Sequence, residues 1–156
     1  MKFENDIKII VSDFDGVFTD GKIEVFSDGS TSKKMDYKDI MAIALILRKG
    51  IKFAIISGEK SVAIDRLKDN FPQIDVFQGE RKKINVFKTL LEKYSISPEN
   101  SIYIGDDIND IECLCYTKNP ITVQNAHKSV KEIPDILITE NIGGNGAFRE
   151  VADSIL

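Results

Sequence analysis

The sequence predicts an α/β protein built on a doubly wound, mostly parallel sheet, and three observations carry that prediction. Short apolar, β-branched runs recur along the chain, at residues 7–11, 52–56, 74–77, 101–104, 121–123 and 136–138. Stretches with helical apolar spacing separate most of them, so strand and helix alternate as they do in βαβ units. Polar residues gather just past the strand runs: Asp13 and Asp15 after the first, Ser57 after the second, Lys83 a few residues beyond the third, and Asp106, Asp107 and Asp110 after the fourth. In a parallel sheet those positions share one edge, where ligands of such folds bind.

Residues 7–11 have the composition of a strand buried on both faces. The chain then turns acidic and glycine-rich through residues 13–21. Residues 22–26 alternate and meet Asp28-Gly29, a hairpin signal. A return strand from Ser32 to Met35 completes a β-hairpin, over about residues 22–36, standing beside the acidic loop. Asp36 to Asp39 leads into residues 40–47, apolar on most sides and ended by Lys49-Gly50, a basic last turn and a C-cap glycine. That pattern predicts a buried helix. The second strand is closed by Ser57-Gly58 and followed by a charged helix from about Lys60 to Asn70; Gln78-Gly79 ends the third. From Lys82 onward Ile84, Phe87 and Leu91, with Val86 and Leu90, keep helical spacing up to Tyr94. Ser97-Pro98-Glu99-Asn100 reads as a loop before the fourth strand, and Gly105 to Asp110 as the opening of another helix. A short helix separates the last two strands, and Gly143-Gly144-Asn145-Gly146 starts a final helix running to the end of the sequence. No repeat, low-complexity tract or linker interrupts this order, so residues 1–156 are expected to form one domain.

With 42% hydrophobic and 29% charged residues, the 156-residue chain has the balance of a soluble globular protein. A formal charge of −4 argues against a nucleic-acid partner, which needs a concentrated basic face. No run approaches membrane-spanning length, and residues 1–6 lack the apolar stretch of a secretory signal, so the expected location is the cytoplasm. Cys113 and Cys115 are spaced too closely for a good intrachain disulfide and are too few for a structural zinc site; they read as reduced thiols on a helix. His127 stands without a second histidine or a serine-centred elbow and reads as a capping or surface residue.

The chemistry is expected where the first strand ends. Asp13 and Asp15 lie two residues apart, so both carboxylates project to one side if the extended conformation persists. Like charges that close need a cation or a shared proton, and Mg²⁺ suits a few carboxylate oxygens while leaving positions for water and phosphate. An acidic turn is the plain alternative. An EF-hand loop starting at Asp13 fails, because Val17 sits where an oxygen ligand is needed and Phe18 where the turn needs Gly. A carboxylate nucleophile, a second carboxylate, a hydroxyl, a lysine and a distal acid are the parts of phosphoryl transfer through an aspartyl-phosphate. In that reading Asp13 attacks phosphorus, and Asp15 protonates the leaving alcohol and later deprotonates water. Ser57, with the backbone N–H groups of Gly58 and its neighbours, holds phosphate oxygens, and Lys83 neutralises them. Asp106 completes the metal site, Asp107 belongs to the same acidic turn, and Asp110 orients Lys83 or a metal-bound water.

Asp13-Phe14-Asp15-Gly16-Val17, Ser57, Lys83 and residues 105–110 resemble the four motifs of the haloacid dehalogenase-like phosphatases, in order and across nearly the whole chain. Residues 13–21, the hairpin, Gln78-Gly79 and residues 143–150 further resemble the 3-deoxy-D-manno-octulosonate 8-phosphate (KDO 8-phosphate) phosphatases, a subgroup that includes phosphatases of nine-carbon sialic-type sugars. The resemblance implies a Mg²⁺-dependent phosphatase of a small sugar-acid phosphate. It implies no large cap domain, and a homotetramer whose hairpins pack together and whose neighbouring subunits help to cover each site. It implies Asp13, the backbone carbonyl of Asp15 and Asp106 as metal ligands, and it selects Lys83 over Lys82 by its distance from Gln78-Gly79.

Three departures bear on substrate. Ile40 follows Asp39 where the octulosonate enzymes usually have Gly; Glu59 stands where they usually carry Arg; and the sequence stops soon after the final helix, where many continue into a tail. Ser57-Gly58-Glu59-Lys60 looks more like the nine-carbon enzymes, so Glu59 is expected to touch the sugar, or else to be a surface residue at a helix start. Lys38 and Arg149 are candidate contacts for the sugar acid or a neighbouring subunit, with surface charge as the alternative. A phospho-acceptor signalling domain would use similar parts but place a lone acceptor after the third strand, and a non-catalytic binding module would not need every catalytic position.

Overall fold

The structure, a computed structural model, describes Met1, Phe3 and residues 5–156; Lys2 and Glu4, in the N-terminal stretch read as lacking a secretory signal, lie outside the described residues. The chain runs β1 (Ile9–Ser12), β2 (Glu24–Val25), β3 (Thr31–Ser32), α1 (Tyr37–Arg48), β4 (Lys52–Ser57), α2 (Val62–Asn70), β5 (Asp75–Gln78), α3 (Lys83–Tyr94), β6 (Ser101–Ile104), α4 (Ile111–Tyr116), β7 (Asn119–Thr122), α5 (Lys128–Lys131), β8 (Leu137–Ile138) and α6 (Ala147–Asp153). Six strands form one sheet in the order β5-β4-β1-β6-β7-β8, and every pairing is parallel. From β1 the chain builds outward through β4 and β5, then returns to lay β6 on the other side of β1. That reversal opens a crevice at the carboxyl end of β1.

All four residues of β1 are buried, which accounts for its unbroken apolar run. Phe53 lies level with Ile10, and Tyr103 with Val11. Successive residues of a strand face opposite sides, so the two aromatic rings mark opposite faces of the sheet. On one face Phe53 meets Phe148 of α6, with ring centroids 5.0 Å apart, and α1 packs against α6 and β4. On the other, Phe87 of α3 meets Tyr103 at 5.1 Å, and α3 packs against α4. Among the described residues no helix is long and apolar enough to cross a membrane.

Several elements differ from expectation. The hairpin strands are only two residues long, and the return strand ends at Ser32 rather than Met35. Ser27, Asp28 and Gly29 close it as a three-residue loop: Phe26 N–H donates to Ser30 O and Gly29 N–H to Phe26 O, both at 2.9 Å, with Gly29 at φ 84°. Helix α1 is capped by Asp36, whose side chain accepts from Lys38 N–H, but it is not wholly buried. Only Asp39, Ala42, Ile43 and Ile46 are buried, and one helical stripe cannot cover so wide an apolar run, so Met41 is 52% exposed. The helix expected from Gly105 onward starts at Ile111, after a single 3₁₀ turn over Ile108–Asp110. A second such turn, Pro98–Asn100, sits in the loop before β6. Strand β7 begins two residues earlier than its apolar run and ends before Val123.

Candidate active site

Asp13 follows β1 directly, and its N–H donates to Ile104 O at 2.8 Å, which carries the pairing with β6 one residue past the strand. The loop beyond it winds into a helical turn, with Val17 and Phe18 N–H donating to Phe14 O at 3.3 and 2.9 Å. Phe18 is clamped in the core against Phe148, Phe53 and Phe14, at 4.6, 5.9 and 6.0 Å between centroids. Apolar burial therefore fixes a loop whose polar tips face the crevice. Gly16 has φ +83°, and a Cβ there would lie 1.9 Å from Asp106 Oδ2, so only glycine lets that carboxylate lie against the loop.

Asp110 organises the second half of the site. Its Oδ1 accepts from Lys83 Nζ at 2.8 Å and Tyr103 Oη at 2.9 Å, while its Oδ2 accepts from Asp106 and Asp107 N–H at 3.2 and 3.4 Å. With four donors on it, Asp110 is spent on positioning. Lys83, 1% exposed at the first turn of α3, also reaches Asp13 Oδ1 at 2.9 Å, and Phe14 N–H donates to the same oxygen at 2.7 Å. Asp13 Oδ2 is the oxygen left for other chemistry.

Carboxylate oxygens of Asp13, Asp106 and Asp110 all lie within 4.8 Å of one another. Three carboxylates facing one ammonium leave two negative charges uncompensated, and the electrostatics register it. Burial, then Asp110, pushes the Asp13 carboxyl well above the ordinary range. Burial, then Asp110 and Asp107, pushes Asp106 up to about 7. For Lys83 burial works against the charged form, but Asp110 and Asp13 together hold its pKa above the usual value. Clustered hard oxygen donors carrying a surplus of two charges suit a divalent cation such as Mg²⁺, with Asp13 and Asp106 as the side chains free to take it.

Around this centre, Asp15 is gripped by Lys33 Nζ of the hairpin at 2.7 and 2.8 Å, and Thr19 Oγ1 lies 3.5 Å from it. The register that sets Ser12 opposite Ile55 puts Ser57 one strand over and a residue beyond the level of Asp13. Ser57 Oγ accepts from Glu59 N–H at 3.2 Å, and its carbonyl accepts from Glu80 N–H at 3.0 Å, tying together the loops after β4 and β5. A cleft of 590 Å³ opens between those loops, lined by Gly58, Glu59, Lys60, Glu80, Arg81 and Asn109 among others.

A family model of haloacid dehalogenase-like hydrolases matches residues 61–149. The 3-deoxy-D-manno-octulosonate 8-phosphate phosphatase of Salmonella typhi is 34% identical over 155 residues, spanning 99% of this chain and 81% of the relative. The chain belongs to the haloacid dehalogenase-like phosphatases, in their octulosonate 8-phosphate phosphatase-like subgroup. As a haloacid dehalogenase-like phosphatase it is a phosphoric monoester hydrolase. Among solved structures, the Moraxella catarrhalis octulosonate 8-phosphate phosphatase, in complex with magnesium, phosphate and KDO, superposes with a TM-score of 0.90 at 33% identity, over 96% of this chain and 86% of that one. The cobalt-bound Haemophilus influenzae enzyme superposes with a TM-score of 0.89 at 30% identity, over 97% and 88%.

Within this haloacid dehalogenase-like scaffold, the residues singled out from sequence divide among a central network, the loop beside it and positions outside both. Asp13, Lys83, Asp106 and Asp110 converge in one contact network, and Lys82 is exposed, outside it. Ser57 and Gly58 line the neighbouring loop, with Glu59 exposed in the cleft. Asp107 caps the 3₁₀ turn, accepting from Ile108 N–H at 2.7 Å. Lys38 lies exposed along Gly146, and Arg149 is engaged with Asp153 of its own helix at 2.7 Å. His127 caps α5, its Nδ1 accepting from Ser129 N–H. Three contributors were not foreseen. Tyr103 looked like one more apolar strand residue, and Lys33 and Arg81 carry no spacing signal that separates them from surface lysines and arginines.

Proposed function

We propose that this chain hydrolyses 3-deoxy-D-manno-octulosonate 8-phosphate, a phosphorylated sugar acid, with Mg²⁺ as cofactor and an aspartyl-phosphate formed on Asp13. The observation that carries the chemistry is the buried Asp13–Lys83–Asp110 network with Asp106 beside it. The named octulosonate enzymes support the substrate, and the magnesium in one of them supports the metal. Asp13, Asp106 and the backbone carbonyl of Asp15 would hold the ion, which supplies charge neutralisation between the carboxylate and the phosphate.

Asp13 Oδ2 attacks phosphorus while Oδ1 stays fixed by Lys83 and Phe14 N–H. The bond from phosphorus to the sugar oxygen breaks, and Asp15 gives that oxygen its proton. Ser57 and the N–H groups of the Gly58 loop hold the phosphoryl oxygens, and Lys83 offsets their charge. Asp15 then takes a proton from water as it attacks phosphorus, releasing inorganic phosphate and restoring Asp13. Lys60 and Arg81 line the same cleft as Glu59 and offset its charge, so a carboxylate-bearing sugar is not repelled there. The octulosonate relatives favour the eight-carbon acid over the nine-carbon reading of Glu59.

In this reading the protein is a single domain of residues 1–156 with the hairpin in place of a large cap. It works in the cytoplasm, whose reducing conditions suit the free thiols of Cys113 and Cys115. It assembles as a homotetramer through the apolar residues Ile23, Val25 and Phe26, which are 58%, 64% and 46% exposed. The test is phosphate release with Mg²⁺ from KDO 8-phosphate, a nine-carbon ulosonate 9-phosphate and p-nitrophenyl phosphate. The highest kcat/KM is expected for the first, and Asp13→Asn should lower turnover of all three by roughly 10⁴-fold or more without loss of fold. Preference for the nine-carbon substrate would overturn the substrate, and an active Asp13→Asn the nucleophile.

A further inference from the structure

Asp15 is held differently from every other carboxylate of the site. Asp13 and Asp110 are buried and bound by several donors, whereas the Asp15 side chain is 30% exposed and has two neighbours. Thr19 Oγ1, which accepts from Gly16 and Gly21 N–H at 3.2 Å each, has its one proton left for Asp15, but 3.5 Å is the limit of a hydrogen bond. Lys33 Nζ sits 2.7 and 2.8 Å from the two carboxylate oxygens and is itself only 15% exposed, 5.9 Å above the Phe14 ring. Lys33 follows β3, in a two-stranded ribbon separate from the main sheet.

We propose that Lys33 is a positioning residue through which the hairpin aims Asp15 at the leaving-group oxygen. A proton donor must lie within hydrogen-bond reach of the atom it protonates, and an exposed aspartate with one marginal bond samples several rotamers. An ammonium bridging both oxygens restricts that carboxylate to one orientation. Lys33 touches neither Asp13 nor Asp110 among the described contacts, so its effect runs through Asp15 alone. The inference rests on the reading of Asp15 as the proton donor.

A series of substituted phenyl phosphates of graded leaving-group quality separates these roles, because kcat/KM covers the steps through phosphorylation of Asp13 and none of the substrates carries a carboxylate. p-Nitrophenolate departs without a proton; phenolate and poorer leaving groups need one. In Lys33→Met, kcat/KM for phenyl phosphate is expected to fall about 10²-fold and for p-nitrophenyl phosphate by about threefold or less, with Lys33→Arg restoring most of the loss. Asp15→Asn, run in parallel, should steepen the leaving-group dependence in the same way. An equal loss across the series in Lys33→Met, with a steepened series in Asp15→Asn, overturns the role of Lys33 alone. An unsteepened series in Asp15→Asn overturns the reading of Asp15 and the inference with it.

Discussion

The carboxyl edge of the main sheet and the hairpin beside it solve opposite problems with the same residue types. At the edge, Asp13, Lys83 and Asp110 are 5%, 1% and 0% exposed and tied to each other and to backbone groups. Among the described residues no buried side-chain polar atom lacks a hydrogen-bond partner. Such a network is expensive to bury and tolerates no missing member, so the geometry it sets is rigid. The hairpin has two-residue strands, exposed apolar side chains and one part-buried ion pair to the acidic loop, Lys33–Asp15, beside the exposed Lys22–Asp20 pair. A ribbon this short is marginal by itself. On the proposed function, bond-making falls to the rigid edge, and proton placement and the proposed assembly to the part that depends on what packs against it.

The sharpest way to break that contrast is Lys83→Met. It leaves Asp13 and Asp110 facing each other without their shared cation, and should cost about 3–5 kcal/mol in unfolding free energy by denaturant titration. A loss below about 1 kcal/mol would mean the edge is no more rigid than the hairpin. Next comes Asp39, fully buried on α1, whose carboxylate accepts from Gly146 and Arg149 N–H at 3.2 and 2.8 Å and ties α1 to the start of α6. Burial raises its pKa to about 6, against the opposing pull of those N–H groups. The folded state therefore holds the proton more tightly than the unfolded chain. Its contribution to stability is full below about pH 4 and is lost as pH rises through about 6, a change on the order of 3 kcal/mol. The stability difference between wild type and Asp39→Asn, followed from pH 4 to 7, should trace that loss.

A smaller effect concerns the ion. Asp106 and Asp13 must both be deprotonated to act as ligands, and the Asp106 pKa of about 7 alone means that Mg²⁺ affinity should drop at least about tenfold between pH 8 and pH 6 in titration calorimetry. The smallest effect on the protomer belongs to the hairpin. Serine at Ile23, Val25 and Phe26 should change the stability of the fold by less than about 0.5 kcal/mol per site. Light scattering should nonetheless show the proposed tetramer lost. A full-size assembly in that variant would detach the hairpin from any role in packing.

The legible parts of this molecule are those where one residue type does one thing. The β-branched runs, the glycine-capped end of α1 and the acidic turns after β1 and β6 stand out because their local chemistry has few alternatives. The sequence places strand β6 at its observed limits, since its apolar run is bounded by a loop and a glycine. The hairpin and the start of α4 are less legible. Asp28-Gly29 signals a turn but not its length, and Asp110, expected in the opening of a helix that starts at Gly105, folds its side chain back onto the N–H groups of Asp106 and Asp107, so the α-helix begins only at Ile111. Met41 looks like a core residue to a periodicity argument, because nothing in its spacing says which side of the helix meets the sheet.

The sequence by itself determined which groups could do chemistry: carboxylates two apart after a buried strand, a hydroxyl, a lysine and a second acidic turn, each at a strand's end. Their order along the chain is enough to put them on one edge, since parallel strands must all finish on the same side. Only the tertiary structure decided how those groups divide the work, because their pairing depends on residues brought together through space. Lys83 meets Asp110 from 27 positions away, and Lys33 meets Asp15 from 18. No local pattern encodes contacts that exist only once the sheet and the hairpin have closed around them.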